Sequence, residues 1–178
     1  MIKNKKSLLG LTLIEALIWF AIFASVVAGV FALYSQSRNS SNASTVNKEL
    51  STIFSQTEQL YASDDTASLT NTVALQLGIF PGSVKVKGAV VNNVFGGTIT
   101  ITGTTPSGFG VIYTNIPTGD VCSSIVRSQK SVGWDTATVG GTAVSYNSSY
   151  SIASVAAACK NAGGAAMSVT FTRLNANI

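Results

Sequence analysis

Histidine is absent from the 178 residues, cysteine occurs twice, proline three times, and charged side chains make up only 10% of the chain. The missing histidine removes the commonest general base and the commonest metal ligand near neutral pH. Serine is abundant, but no histidine is present to activate it as a nucleophile. Two cysteines without histidine do not make a zinc site. No catalytic residue, metal set or cofactor site is therefore read, and Asp64-Asp65 is expected to be a solvated helix-end turn before it is a calcium ligand pair. The formal charge of +4 is also misleading. Lys3, Lys5 and Lys6 lie before residue 11, and without them eight basic side chains face seven acidic ones. So near-neutral a balance gives no basic surface for nucleic acid. No repeat of fixed period is present.

What the chain has is one long apolar run. From Leu11 to Tyr34 the only charged residue among 24 is Glu15. At about 1.5 Å per residue, a helix of that length crosses a bilayer. A carboxylate left unpaired in lipid costs several kcal/mol, so Glu15 needs a partner. Cutting the chain between Gly10 and Leu11 would supply one, because Leu11 would gain an α-amino group with an ordinary pKa of roughly 8. In a bundle of copies, Glu15 of one copy can reach the Leu11 amine of its neighbour. Such a pair neutralises two charges and fixes the offset between helices.

Gly10, the hydrophobic Leu11, Thr12-Leu13-Ile14, Glu15 and the apolar helix after them resemble the class III signal of type IV pilins. The resemblance implies cleavage after Gly10 by the prepilin peptidase, N-methylation of Leu11, and Glu15 as the acidic assembly residue. It implies three regions: a cleaved basic leader over 1–10, a membrane and filament-core helix over 11–34, and a periplasmic or extracellular domain over 35–178. The Leu at the mature start, and a helix bearing Cys122 set against a cysteine shortly before the last strand, lean toward the type IVb subgroup of toxin-coregulated, bundle-forming and conjugative thin-pilus pilins. The ten-residue leader is shorter than is common there. The implied partners are further copies in a helical filament, the prepilin peptidase, the inner-membrane assembly machinery and, for the monomer, the membrane. The implied location is the inner membrane of a Gram-negative bacterium and then the extracellular pilus.

Other readings of the same residues stand beside this one. An ordinary secretory signal also begins with lysines before an apolar core, and Val26-Val27-Ala28 could serve as its cleavage site, making Gly29 the new terminus. An uncleaved signal anchor is the third reading, with the leader in the cytoplasm in either anchored form. Two rival functions remain: a type II secretion pseudopilin or minor pilin, which shares the pilin-like signal, and an anchored or secreted surface recognition module, whose N-terminus is merely a signal or anchor.

The rest of the chain reads as α+β. Val46, Leu50, Ile53, Phe54, Thr57, Leu60 and Tyr61 recur at three- and four-residue intervals and extend the helix to about Ala62 with one apolar face. Thr66 to Gly82 is expected to connect, with a short helix over 68–77. Strands are expected at Val84–Lys87, Thr98–Thr102, Phe109–Thr114 and Met167–Thr172, forming an antiparallel sheet across the helix. Turns fall at Asn92-Asn93 or Gly96-Gly97. Helices are expected after Pro117, capped by Thr118 or Asp120, and over 151–159, with a loop or hairpin over 132–142. Trp134, Tyr146 and Tyr150 are expected under the loops before they are expected in a contact surface. In an exported domain Cys122 and Cys159 form one disulfide, worth about 4 kcal/mol on the chain-entropy model; two free buried thiols are the alternative.

Overall fold

The computed structural model describes residues 13–62, 64–104, 107–160 and 166–174. The chain divides into two units, Met1–Arg38 and Asn39–Ile178, and helix α1 (Leu13–Leu60) contributes residues to both. In the first unit α1 from Leu13 to Tyr34 carries no charged side chain but Glu15, and large apolar side chains stand on every side of it. Its side chains lie open, with Phe20 75% and Trp19 66% exposed. Arg38 closes this stretch with its guanidinium 5.9 Å from the centre of the Tyr34 ring, one helical turn back.

The polar stretch from Ser35 onward does not break the helix. Its hydroxyls turn back on the helix's own carbonyls, as in Ser35 to Ala32 at 2.9 Å and Thr45 to Ser41 at 3.2 Å, so they do not compete for the backbone. In the second unit Ala43, Val46, Leu50, Ile53 and Thr57 are buried, which is the expected apolar face. Leu60 departs from it and is largely exposed, because the helix ends there.

A 3-10 turn (Thr66–Ser68) and helix α2 (Asn71–Gln76) follow. The Asp65 carboxylate accepts from Ala67 N at 2.8 Å and caps the turn. The strands are β1 (Lys85–Lys87), β2 (Val90–Asn92), β3 (Thr98–Thr104), β4 (Gly108–Pro117), β5 (Thr136–Val139), β6 (Thr142–Ser145) and β7 (Ala166–Arg173). They form one antiparallel sheet in the order β1-β2-β3-β4-β7-β5-β6. The final strand therefore sits inside the sheet rather than at its edge. In its Val169 and Phe171 pair with Tyr113 and Val111 on one side and with Val139 and Ala137 on the other.

Asn71 extends the sheet with a side chain. Its Oδ1 accepts from Ile101 N at 2.7 Å and its Nδ2 donates to Ile99 O at 2.9 Å. β2 is too short to pair there, since its register with β3 stops at Val91–Ile99. Asn93 builds the β2–β3 turn, accepting from Phe95 N and Gly97 N and donating to Thr114 O at 2.8 Å.

The core joins Val46, Leu50 and Ile53 of α1 to Ile99, Ile101, Val111 and Tyr113 of the sheet. Phe54, Phe109, Trp134 and Phe171 pack ring against ring beside them, with neighbouring centroids 4.8 to 5.8 Å apart. Trp134 is thus a core residue, and its indole N–H donates to Gln129 Oε1 at 3.1 Å.

Helix α3 (Asp120–Ser128) departs from the expected cap. Neither Thr118 nor Asp120 serves; Gly119 stands at the cap with φ 75° and no side-chain bond. Its backbone N–H is spent on the Cys159 carbonyl at 3.2 Å, so the helix start is fixed from helix α4 (Ile152–Lys160) instead. Cys122 on α3 and Cys159 on α4 form a disulfide with Cα atoms 5.7 Å apart. The 132–142 region resolves into the β5–β6 hairpin, turning at Gly140-Gly141.

Candidate assembly interface

The residues read for assembly lie in the first unit. Gly10 and Leu11, the expected cleavage and methylation positions, fall outside the described residues. Glu15 stands in the first described turn of α1 and is exposed. Leu17, Ile18, Trp19, Phe20 and Phe23 surround the helix beyond it, all exposed. Among the described residues α1 is the one helix long and apolar enough to cross a membrane.

An all-round apolar surface has two stable surroundings, lipid tails or the same surface of another copy. Each large side chain moved fully out of water contributes about 1.5–3 kcal/mol. Neither surrounding selects an axial position by itself, since apolar contact is not directional. A charge at a fixed place along the helix does.

The second unit presents a different surface. Beside α3 an open groove of about 590 Å³ is lined by Asp120, Ser123, Arg127, Tyr150 and Ile152, among others. Tyr150 stacks on Tyr146 at 5.9 Å, and the Lys130 ammonium lies 4.3 Å from the Tyr150 ring centre. The Tyr146 hydroxyl donates to Val126 O at 2.7 Å, and burial raises its pKa above the ordinary tyrosine range. Of the three aromatic residues considered for a contact surface, Tyr146 and Tyr150 therefore fasten the loop to α3, and Tyr150 also lines the groove. No group of histidine, cysteine, aspartate and glutamate able to hold a metal ion occurs among the described residues.

Sequence reasoning did not single out Glu49. It lies on the buried face of α1 at 2% exposure, and its signal was its place three residues after Val46 and one before Leu50.

Comparisons with known proteins bear on the family and the fold. The family model PilS, described as PilS N terminal, matches residues 40–174. The fold is similar to the crystal structure of the type IVb pilin from Salmonella typhi, with a TM-score of 0.55 and 20% sequence identity. That likeness covers 76% of this chain and 99% of the solved one. No curated protein matches the chain.

Proposed function

The chain belongs to the PilS family of type IVb-like pilins, and from that premise we propose that it is the precursor of a major pilus subunit, processed after Gly10 and polymerised through α1. The observation that carries the reading is the apolar, exposed surface of α1 between Leu13 and Tyr34, with Glu15 near its start. As a monomer the subunit rests with this stretch in the inner membrane of a Gram-negative cell, the leader 1–10 on the cytoplasmic side and residues 35–178 outside. The prepilin peptidase frees the Leu11 amine, which is then methylated. The assembly machinery transfers the helix from lipid into a bundle of identical helices, and Glu15 pairs with the Leu11 amine of a neighbour. Head-to-tail contacts whose rotation does not close on itself give an open filament. The filament works in contact between cells or surfaces, through adhesion, aggregation or conjugation, as a structural subunit without catalysis.

Intact-mass and N-terminal analysis of protein sheared from cells tests the processing step. A chain starting at Leu11 with one added methyl is expected. A chain starting at Gly29, or an uncut Met1, overturns the proposal, because each removes Glu15 or its partner amine.

A further inference from the structure

Glu49 is a carboxyl group in the core of the second unit, and pilus assembly as proposed makes no use of it. Three elements meet there. Glu49 comes from α1 and is 2% exposed. Ser83, from the segment between α2 and β1, donates its hydroxyl to Glu49 Oε1 at 3.1 Å. Tyr113 comes from β4, is fully buried, and its hydroxyl acts electrostatically on the same carboxyl.

The hydrogen bonding around this carboxyl is incomplete. Glu49 Oε2 and the Tyr113 hydroxyl are both buried, and neither has a hydrogen-bond partner. Tyr113 is near enough to influence the carboxyl without meeting hydrogen-bond geometry. Among the described residues no charged side chain acts on Glu49: the groups that do are the hydroxyls of Ser83 from the loop and Tyr113 from the sheet, each favouring the ionised form by less than burial disfavours it, and its chain neighbour Lys48 is exposed. Burial is the largest influence on Glu49 and raises its pKa from the ordinary 4.5; burial does the same to Tyr113, with the Glu49 charge adding to it.

The two protonation states differ in what they require. A protonated Glu49 is neutral, keeps Oε1 as an acceptor for Ser83 and can offer a donor on Oε2 to the Tyr113 oxygen, whereas an ionised Glu49 can only accept from the two hydroxyls. An ionised Glu49 is a buried charge with no cation beside it, which demands water or a way out. Ser83 is exposed, so of the two groups beside the Glu49 carboxyl it is the one that meets solvent. It belongs to a short turn in which Val84 N bonds Pro81 O at 3.2 Å, and β1 follows at once. β1 is an edge strand that pairs only with β2 among the described strands.

We propose that Glu49, Ser83 and Tyr113 form a proton-operated latch that holds the Ile79–Val84 segment on α1, closed when the Glu49 carboxyl is protonated and open when it is ionised. On opening, the proton leaves to solvent, water enters beneath Ser83, and the segment carries β1 away from the core. The latch makes one lateral surface of the subunit respond to external pH: acid locks it and alkali loosens it. It is independent of processing at Gly10 and of Glu15.

The test is hydrogen–deuterium exchange on the full chain in detergent, followed over residues 79–87 and corrected for the intrinsic pH dependence of exchange. Protection of this segment is expected to fall about tenfold or more between about pH 5 and about pH 9, while β4 and β7 stay protected. Glu49→Gln keeps an acceptor for Ser83 and cannot ionise, so its segment should stay protected across the range. The same fall in Glu49→Gln, or a flat wild-type profile, would overturn the latch. A carbon-13 titration of the Glu49 carboxyl in the unmutated chain makes the test independent of how the variant folds. Loss of protection must track that titration, and a carboxyl that titrates in the ordinary carboxylate range without moving the segment refutes the proposal.

Discussion

Gly103 in β3 sits with its bare Cα against the Thr66 carbonyl, so closely that a β-carbon there would overlap the oxygen. Gly103 N donates to Leu69 O at 3.0 Å, and the Thr66 hydroxyl donates to Thr104 O and Gly108 O. This crossing locks the end of α1's connection onto the sheet with backbone atoms that cannot yield. Gly103→Ala is therefore expected to destabilise the second unit by about 3 kcal/mol, lowering the melting temperature by roughly 6 to 12 °C. Gly82→Ala, where a β-carbon meets nothing within 4 Å, serves as the control and should melt like the unmodified chain.

Reduction of Cys122–Cys159 should cost about 3–4 kcal/mol, because the bond closes a long loop across a sequence separation of 37. The loss should concentrate between α3 and α4, where Gly119 N and Cys159 O also meet. Melting with and without reductant measures the first. Limited proteolysis, with new cuts expected between residues 118 and 160, measures the second.

Arg173 near the end of β7 bridges two carboxylates, with Nε 2.9 Å from Glu58 Oε1 and Nη1 3.4 Å from Asp135 Oδ2. Leu174 N also donates to Asp135 Oδ2 at 2.8 Å. All three charged side chains are partly exposed, so screening limits what the network contributes. Arg173→Met is expected to destabilise by about 1 kcal/mol or less, with the difference shrinking in high salt. A large, salt-independent loss would show that Arg173 acts through packing of its stem instead.

The contribution of Glu49 to the stability of the second unit should fall as pH rises. Glu49 has a folded pKa above its ordinary value of 4.5, so its contribution is complete below that value and disappears as pH climbs through the folded one. The melting temperature of Glu49→Gln should exceed that of the unmodified chain at neutral and alkaline pH, and the two should converge in acid. A constant difference across pH would contradict this assignment.

Much of the architecture could be read in advance where one local pattern decided it. The alternation in Thr98–Thr102 and Met167–Thr172 marked β3 and β7, and the spacing from Val46 to Thr57 marked the buried face of α1. Short or nonlocal features were hidden. β2 is three residues beside Asn93 and Gly96-Gly97, and the turn residues masked it. The place of β7 between β4 and β5 depends on pairing between distant segments, which no local pattern encodes. The α3 start was misread because the Gly119 N–H is fixed by a carbonyl 40 residues away in sequence, across the disulfide. Gly10, Leu11 and Glu15 stand out in the sequence because a glycine, a lone charge and a long apolar run coincide within one short stretch, and their roles are part of the proposal. Glu49 stayed hidden because a charged residue beside Lys48 reads as surface until the sheet is laid over it.

The central claim is that α1 assembles the filament and that Glu15 sets the offset between copies. Glu15→Ala tests it most directly, with membrane fractions and sheared filaments compared in the same cells. The account predicts that the variant is made, inserted and cleaved after Gly10 while filaments fall by at least about tenfold, as expected if the lost pairing is worth at least about 1.4 kcal/mol. Filaments in normal yield from Glu15→Ala, with normal membrane insertion, would contradict it.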